Sequence, residues 1–349
     1  MNTDADSTSD LLNLIAGSWT SDALAAAVEL NLPDLLASGA RTAADLADAT
    51  QCEPGALARL LRALVAIDVC VEEAGGAFAI TPMGARLRED HPQSLHFWSI
   101  YWAHSMRPLW SHLSESVRTG QSVRKALTGF DGFERQQRDP AAAALFNKTM
   151  VELTRLVASD VARSYDFTAV RTVVDIGGGY GELMIDVLRQ APQLKGTLFD
   201  LPHAIDGAQR SLAEADLSAR CDCVAGDFFE CVPPEADLYI LKSILHDWPD
   251  DRARTILENC RRAMPLGARL LIVERMRPDR AHSCETHRQI ARSDLAMLLG
   301  LGSQERSETE FHELLASAGF AVVRVDSVAL AFSLIEAVLV PESTASRAS

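Results

Sequence analysis

The sequence predicts an α/β protein with a mainly parallel sheet, preceded by a mainly α-helical N-terminal domain. From Arg171 onward, short β-type runs alternate with helical patterns, which is typical of a parallel sheet covered by helices. Residues 11–90 instead show leucines at helical spacing and one short β-type segment. A chain of 349 residues is long enough to form two domains.

The N-terminal part, residues 1–100, has the order of a winged helix. Thr42 is the predicted N-cap of one helix, a second helix follows, and "GGAFAITPMGARL" predicts a short β-wing. A winged helix can bind DNA, but these residues hold five arginines and no lysine against nine aspartates and five glutamates, a net charge of −9. This charge would repel phosphates. We therefore expect a dimerisation or scaffold role.

Residues 101–166 are predicted to be a helical linker that contributes to the substrate pocket. "PAAAALFNKTMVELTRLVASDVARSYDF" predicts one long helix with Pro140 in its first turn. The preceding stretch, 94–118, holds three of the five tryptophans, with aromatic residues four apart. Such a stripe indicates either packed core and subunit interface or a wall for a flat aromatic substrate. The residues considered for that wall are Trp98, Trp102, Phe146, Met150 and Met297.

The overall composition restricts the partners. A formal charge of −15 and a pI near 5.0 disfavour nucleic acid and anionic membrane surfaces and favour a small or cationic ligand. The N-terminus lacks the features of a signal peptide, and no later run approaches the roughly 18 apolar residues of a membrane span. Seven cysteines without C-x-x-C spacing predict reduced thiols. We expect a cytoplasmic protein.

The C-terminal part, residues 167–349, carries the chemistry. Five β-type runs alternate with helices or loops, and the last two runs, "AVVRVDSV" and "FSLIEAVLV", have only a short connection between them. A short connection predicts an antiparallel hairpin, because parallel neighbours need a long crossover.

The segment "TVVDIGGGYGEL" predicts a strand, a glycine-rich turn and a helix. Gly177, Gly179 and Gly181 allow a tight turn that brings backbone N–H groups close to a ligand. The nicotinamide fingerprint requires a third glycine where Glu182 stands. The turn therefore indicates a nucleotide-like ligand other than a dinucleotide.

Acidic residues follow three of the predicted strands. Asp175 can reach a cationic amino group, Asp200 stands where an acid binds a ribose diol, and Asp227 with Phe228 can contact an adenine. No lysine or arginine stands at these strand ends to clamp a phosphate. S-adenosylmethionine, a cationic nucleoside without phosphate, fits this pattern.

A set of motifs resembles a known family over nearly the whole chain. "DIGGGYG", "FDLP", "GDFF", "LKSILHDW", "IVERMRP" and "GSQERSETEF" occur in the order and at the spacing of the S-adenosylmethionine-dependent O-methyltransferases of the plant caffeate/flavonoid type and their bacterial natural-product relatives. The resemblance implies a Rossmann-like methyltransferase sheet, a winged-helix-like dimerisation domain and a homodimer.

The resemblance also implies roles for individual residues. His246 matches the general base, Asp247 lies beside it, and Glu274 and Glu305 match the acids that orient its imidazole. Met297 matches a methionine that packs against the acceptor ring, near a loop from Asp294 to Glu305 that is one residue shorter than in the plant enzymes. The expected cofactor contacts are Asp175, Gly177, Gly179, Gly181, Asp200, Leu201, Gly226, Asp227, Phe228 and Lys242.

The residue types in the "LHDWPDD" segment suit methyl transfer to a hydroxyl. A phenol is mostly neutral at pH 7, and an imidazole that removes its proton makes it a better nucleophile. Alternatively His246 only ends a strand, while Asp250 or Asp251 caps the next helix. A metal site in this segment is disfavoured, because residues around Pro249 point in different directions.

The predicted activity is therefore metal-independent methyl transfer to a hydroxyl of a small aromatic or polyketide-like natural product. The alternative within the family is a protein that retains the cofactor but catalyses decarboxylation, hydroxylation or N-methylation. A third hypothesis, a cofactor-sensing DNA-binding regulator, is disfavoured by the charge of the winged-helix part.

Overall fold

The computed structural model describes residues 3–130 and 132–341, with side chains from residue 7 onward. It divides the chain into two compact units, Met1–Pro108 and Leu109–Ser349. The division after Pro108 falls inside the predicted linker, and the three-part division at 1–100, 101–166 and 167–349 stays a prediction.

The first unit is mainly helical around a small antiparallel sheet of order β1-β3-β2. Thr42 begins α4 as predicted, because its hydroxyl accepts from the Asp45 N–H while the Asp45 carboxylate accepts from the Thr42 N–H. The wing is the β2–β3 hairpin. The elements are α1 Thr3–Ala16, α2 Ser18–Glu29, α3 Leu32–Leu35, β1 Arg41–Thr42, α4 Ala43–Thr50, α5 Pro54–Ala66, β2 Cys70–Glu72, β3 Ala77–Ile80, a 3-10 turn Gly84–Leu87, α6 His96–Tyr101, a π-turn Trp102–Met106 and α7 Arg107–Trp110, which crosses the division.

The second unit is built on a seven-stranded sheet of order β6-β5-β4-β7-β8-β10-β9. The first five strands are parallel, and β10 runs antiparallel between β8 and β9, which confirms the predicted terminal hairpin. The strands are β4 Thr172–Ile176, β5 Lys195–Asp200, β6 Cys221–Ala225, β7 Leu238–Lys242, β8 Arg269–Arg275, β9 Phe320–Ser327 and β10 Phe332–Leu339.

Helices cover this sheet on both faces and bury two apolar clusters against it. The single long helix predicted from Pro140 is confirmed as α11, and the Asp139 side chain caps it by accepting from the N–H groups of Ala141 and Ala142. The helices are α8 Leu113–Thr119, α9 Arg124–Thr128, α10 Glu134–Arg138, α11 Pro140–Ser164, α12 Glu182–Gln190, α13 Pro202–Glu214, α14 Asp250–Ala263, α15 Glu285–Leu301 and α16 Glu308–Ser317, with 3-10 turns at Leu245–Asp247 and Ala329–Ala331.

The strand register brings the carboxyl ends of the central strands to one edge. Ile176 of β4 pairs with Phe199 of β5 on one side and with Leu241 of β7 on the other. The residues that follow these three strands therefore lie side by side, as expected for ligand binding in a parallel sheet.

No single helix in the described ranges is long and apolar enough to cross a membrane. The segments Ser7–Ala16 and Ser18–Glu29 reach that length only together, and they are bent by 44°.

Candidate active site

The glycine-rich turn follows β4 and leads into α12. Gly177, Gly179 and Gly181 have φ angles of +70°, +57° and +87°, a region that side chains other than glycine disfavour. A Cβ atom at Gly179 would meet nothing within 4 Å. The turn thus leaves an open cradle beside its backbone, at the carboxyl edge of the sheet.

Asp200, the last residue of β5, faces this cradle. Its Oδ2 accepts a 2.7 Å hydrogen bond from the Gly179 N–H, and its Oδ1 accepts one of 2.6 Å from the Leu201 N–H. Burial raises the pKa of the Asp200 carboxyl, against the opposing effect of these hydrogen bonds. The carboxylate is therefore fixed beside the glycine turn, in the position expected for binding a ribose diol.

Asp175 of β4 and Lys242, the last residue of β7, lie on adjacent strands and influence each other electrostatically. Asp175, in β4, is 2% exposed, and its Oδ2 has no hydrogen-bond partner in the described part of the chain. Burial raises the pKa of Asp175 to about 7, and burial lowers the pKa of Lys242, at the end of β7, to about 8. An unpartnered buried carboxylate oxygen suits a cationic ligand group.

The third strand end supplies Asp227 and Phe228. Oδ1 of Asp227 accepts a 2.8 Å hydrogen bond from the Phe229 N–H, and the Phe228 ring lies 6.2 Å from the Trp248 ring, edge to face. Gly226 is needed for packing, because a Cβ atom there would overlap the Phe199 ring. An aromatic face and a carboxylate thus occur together after β6.

The residues after β7 form the turn that carries His246. Ser243 has a φ of +54°, and the 3-10 turn Leu245–Asp247 follows. Oε1 of Glu274, in β8, accepts hydrogen bonds from the N–H groups of Ile244 and Leu245, both at 2.9 Å, and of His246 at 3.4 Å. Glu274 therefore fixes the backbone at the beginning of this turn.

Three carboxylates surround the buried imidazole of His246. Its Nδ1 lies 3.3 Å from Oε2 of Glu305, its hydrogen-bond partner, and 3.2 Å from Oε2 of Glu274. Its Nε2 lies 3.4 Å from Oδ1 of Asp247. Ser293 donates a 2.6 Å hydrogen bond to Oε1 of Glu305. The four residues expected at the catalytic centre thus lie together.

The cluster shifts the pKa values of its members. Burial opposes a charged imidazole, but Glu274, Glu305 and Asp247 outweigh it and raise the pKa of His246 to about 10. Burial raises the pKa of Asp247 to about 7 and also raises that of Glu274. Burial opposes a charged Glu305, but the charge of His246, the hydrogen bonds from His246 and Ser293 and the charge of Arg275 together lower the pKa of Glu305. The three carboxylates therefore favour the protonated form of the His246 imidazole.

The ligand atoms of His246, Glu274 and Glu305 lie within 4.8 Å of one another, close enough to hold a metal ion. We assign these atoms to one another instead, because both carboxylates face Nδ1 and Glu274 also accepts from the backbone of the turn. The absence of a metal ion stays a prediction.

The candidate substrate residues are spread over both units. Trp98 and Trp102 lie in the first unit, with ring centroids 5.4 Å apart. In the second unit, the Phe133 ring lies 5.6 Å from both Phe146, on α11, and Trp248, which follows the His246 turn. Phe133 was missed by sequence analysis, because "FDGFE" has no helical periodicity. The roles of all these residues in substrate binding stay predictions.

Met150 and Met297 are half-buried on α11 and α15. The prediction of a loop from Asp294 to Glu305 is wrong for residues 294–301, because α15 continues to Leu301. Helical packing extends this element, and only the residues after Leu301 form a loop.

The expectation that Asp250 or Asp251 caps α14 is wrong, because neither side chain caps this helix. The N-cap position is Pro249, without a side-chain cap. Oδ1 of Asp250 instead accepts hydrogen bonds from Arg306 at 2.8 and 3.0 Å. Arg306 was not considered from sequence, because a buried arginine in a loop leaves no periodic signal.

Comparisons with known proteins agree with this architecture. The model of the O-methyltransferase domain matches residues 110–321, and that of the O-methyltransferase dimerisation domain matches residues 12–90. The O-demethylpuromycin-O-methyltransferase of Streptomyces alboniger is 41% identical, over 94% of this chain and 88% of its own length. The phenazine O-methyltransferase of Lysobacter antibioticus is 39% identical, over 94% and 95%.

A solved O-methyltransferase of neocarzinostatin biosynthesis, in complex with S-adenosylmethionine and 2-hydroxy-5-methyl naphthoic acid, is 32% identical with a TM-score of 0.78. The match covers 92% of this chain and 96% of that one. The chain belongs to the family of S-adenosylmethionine-dependent O-methyltransferases.

Proposed function

We propose that this protein methylates a hydroxyl group of a small aromatic or polyketide-like natural product, with His246 as the general base. The observation that carries this proposal is the His246 imidazole, buried among Glu274, Glu305 and Asp247 at the edge of the sheet where the residues expected to bind the cofactor lie. A carboxylate-bound imidazole at such a place can hold the proton that a hydroxyl loses.

The strand ends fit S-adenosylmethionine. Asp200 would bind the ribose, Asp227 and Phe228 the adenine, and Asp175 with Lys242 the charged amino-acid end. The open cradle at Gly179 and the unpartnered Oδ2 of Asp175 support this assignment, since both offer places for ligand atoms. When bound, the cofactor supplies a methyl group on a positively charged sulfur, which is already activated for transfer.

The protein contributes proton control and positioning. The pKa of His246, about 10, is close to that of an ordinary phenol. A proton therefore passes between the acceptor oxygen and Nε2 with little free-energy difference. Glu274 and Glu305 hold Nδ1 and thereby aim Nε2, while Asp247 limits its movement.

An aromatic acceptor is supported by the side chains near the turn and by the relatives. Phe146, Phe133 and Trp248 form a continuous aromatic series that ends at Trp248, two residues after His246. The names of the similar enzymes refer to a phenazine and a demethylated puromycin, and the solved relative is in complex with a naphthoic acid. A flat hydroxylated ring suits both observations.

We also propose a homodimer in the cytoplasm. The dimerisation match over residues 12–90 and the exposed apolar side chains of α1 and α2 support the dimer. All seven cysteines are free thiols, which suits a reducing compartment. The net charge of −15 supports a small-molecule substrate and argues against nucleic acid or membrane partners.

The test is a transfer assay with labelled S-adenosylmethionine, without added metal and with a chelator present, over a panel of phenols, hydroxynaphthoates and hydroxyphenazines. We expect a product that has gained one methyl group on oxygen. Binding of S-adenosylhomocysteine without any methylated product, but with decarboxylated or hydroxylated product, would support the alternative activity. Methylation at nitrogen would correct the acceptor atom.

The cofactor assignment has its own variant. Asp200→Ala should weaken S-adenosylhomocysteine binding by about 1 to 3 kcal/mol, because it removes the proposed ribose acceptor and the bond that fixes Gly179. Unchanged affinity by calorimetry would show that the ribose binds elsewhere.

A further inference from the structure

Arg306 is the largest fully buried side chain of the protein's described part, at 1% exposure. It stands between Glu305, which contacts the imidazole of His246, and Ser307, which caps α16. Burying a guanidinium is costly unless all its donors are used. The contacts of Arg306 therefore need an explanation beyond general packing.

The Arg306 guanidinium binds carbonyl oxygens of the His246 turn, whereas Glu274 binds its N–H groups. Nη1 donates a 2.6 Å hydrogen bond to the carbonyl oxygen of Leu245, and Nη2 donates one of 2.7 Å to the carbonyl oxygen of Trp248. Nε and Nη2 also donate to Oδ1 of Asp250, at 3.0 and 2.8 Å. Arg306 thus joins the residue before His246 to the first turn of α14.

We propose that Arg306 is a positioning residue that, together with Glu274, holds the His246 turn in the geometry required for proton transfer. Glu274 accepts from the N–H groups that enter the turn, and Arg306 donates to the carbonyls on both sides of His246 and Asp247. The proposal rests on the proposed role of His246 as base.

The turn needs such support because its own backbone provides little. It begins after Ser243, which has a strained left-handed conformation. Its short 3-10 segment is closed by hydrogen bonds from the Asp247 N–H to the Ile244 carbonyl oxygen and from the Trp248 N–H to the Leu245 carbonyl oxygen. A guanidinium has a planar set of donors that can reach two carbonyls and a carboxylate at once. A lysine ammonium is a single point charge and cannot reproduce this arrangement.

Arg306 also links the His246 turn to the loop that carries Glu305. It follows Glu305 directly, and its own carbonyl oxygen accepts a 2.8 Å hydrogen bond from the Arg277 N–H, just beyond β8. The turn and the loop that carries Glu305 are therefore fixed to each other. Loosening Arg306 should increase the distances from Nδ1 to both Glu274 and Glu305.

The charged groups that face the imidazole determine the pH at which His246 titrates, and this midpoint can be measured. Glu274, Glu305 and Asp247 stabilise the imidazolium, while Lys242 and Arg275 lie close enough to affect these carboxylates. Arg306 does not need to contact the imidazole to change its titration. If it holds the carboxylates close to Nδ1, its loss should bring the titration midpoint of His246 towards the ordinary histidine value.

The experiment follows the imidazole by NMR of ¹⁵N-histidine-labelled protein, saturated with S-adenosylhomocysteine and without an acceptor. His246→Gln identifies the resonance. The variants are Arg306→Lys, Arg306→Met and Asp250→Asn. The matched control is Arg277→Lys, another arginine of this region, whose guanidinium pairs with Glu310 of α16 at 2.7 and 2.8 Å.

We expect the His246 midpoint to move to lower pH by about one pH unit or more in Arg306→Met, by less in Arg306→Lys and Asp250→Asn, and not in Arg277→Lys. With an acceptor, kcat should fall about 10- to 100-fold in Arg306→Met, while S-adenosylhomocysteine affinity stays within about twofold. If Arg306→Met does not fold, Asp250→Asn, at a side chain that is 70% exposed, provides the decisive comparison.

An unchanged midpoint in the folded Arg306 variants, or an equal shift in Arg277→Lys, would overturn the proposal. This result is distinct from a failure of the proposed function. If the proposed function failed, His246→Gln would retain normal methyl transfer. The NMR titration does not depend on turnover and therefore tests the positioning role of Arg306 separately.

Discussion

The Glu274 carboxylate contacts His246 twice, through the backbone N–H at 3.4 Å and through the side-chain Nδ1 at 3.2 Å. One residue of β8 thus determines both where the turn lies and how its imidazole is oriented. The relationship links the rigid sheet directly to the proposed proton transfer, because Glu274 is fully buried and cannot move without disturbing the strand.

His246→Gln should reduce turnover of a phenolic acceptor by about 10²- to 10⁴-fold while cofactor affinity stays nearly unchanged. Glutamine keeps a polar side chain of similar size but cannot take up the proton. Steady-state rates and calorimetry with S-adenosylhomocysteine measure the two effects separately. The reduced activity should recover partly at high pH, where solvent deprotonates the phenol.

Glu305→Gln is the matched variant. It removes one charge and leaves the imidazole in contact with Glu274, so the loss of turnover should be smaller than in His246→Gln. If His246→Gln retains near-normal turnover at pH 7, positioning alone drives the transfer. If it loses cofactor binding and activity in parallel, His246 belongs to the cofactor site.

The pH dependence of kcat/KM should depend on the pKa of the acceptor hydroxyl. The reactive pair of imidazole and hydroxyl holds one proton in total, and the pKa of His246 is about 10. A phenol with a pKa of about 10 and the imidazolium together carry one proton too many at pH 7. For such a phenol, kcat/KM should rise about tenfold per pH unit between about pH 7 and 9.

An acceptor with a hydroxyl pKa of about 7 should behave differently. It is ionised above pH 7 and pairs with the imidazolium, so kcat/KM should stay flat to about pH 10 and then fall as His246 loses its proton. In His246→Gln this fall should disappear. Identical profiles for the two acceptors would contradict a proton shared between substrate and His246.

The sequence predicted the parts of this structure that depend on local signals. Alternating β-type runs identified the strands, and Thr42 followed by Asp45 marked the beginning of α4. The prediction for Asp250 failed, because capping rules consider only neighbouring residues and a distant arginine binds this carboxylate. The interactions of Arg306 depend on chain segments 56 to 61 residues apart, which no local pattern contains.

Asp175→Asn should stabilise the ligand-free protein above neutral pH and weaken cofactor binding. Burial raises the pKa of Asp175 from 3.8 to about 7, so the folded state binds this proton more tightly than the unfolded state. The carboxyl therefore costs stability progressively as pH rises from about 4 through 7. Asparagine does not ionise, and the variant should be more stable at pH 8 by about 1 to 3 kcal/mol.

Urea unfolding of both proteins at pH 4.5 and pH 8 measures this difference. Asp237→Asn is the control, because this substitution should lower the stability at pH 8 instead of raising it. Hydrogen bonds from the N–H groups of Arg171 and Thr172 lower the pKa of Asp237 although burial opposes them, so its carboxylate stabilises the fold above about pH 4. A stability gain in Asp175→Asn that is equal at both pH values would show that ionisation is not its cause.

Ile15→Asp should weaken the proposed dimer. Ile15 is 72% exposed on α1, in a group of exposed apolar side chains that a monomer would rarely leave in water: Leu11, Leu12, Leu14, Ile15 and Trp19. A buried aspartate at an interface lacks a partner, and we expect a loss of about 2 kcal/mol in dimerisation free energy, or a roughly 30-fold higher dimer dissociation constant.

Leu266→Asp is the control, because Leu266 is 86% exposed but lies in the second unit, outside the residues matched by the dimerisation domain. Light scattering should give twice the chain mass of 37.9 kDa for the unmodified protein and for Leu266→Asp, and a lower average mass for Ile15→Asp at micromolar concentration. If the unmodified protein has the mass of one chain, the exposed side chains of α1 need another explanation than self-association.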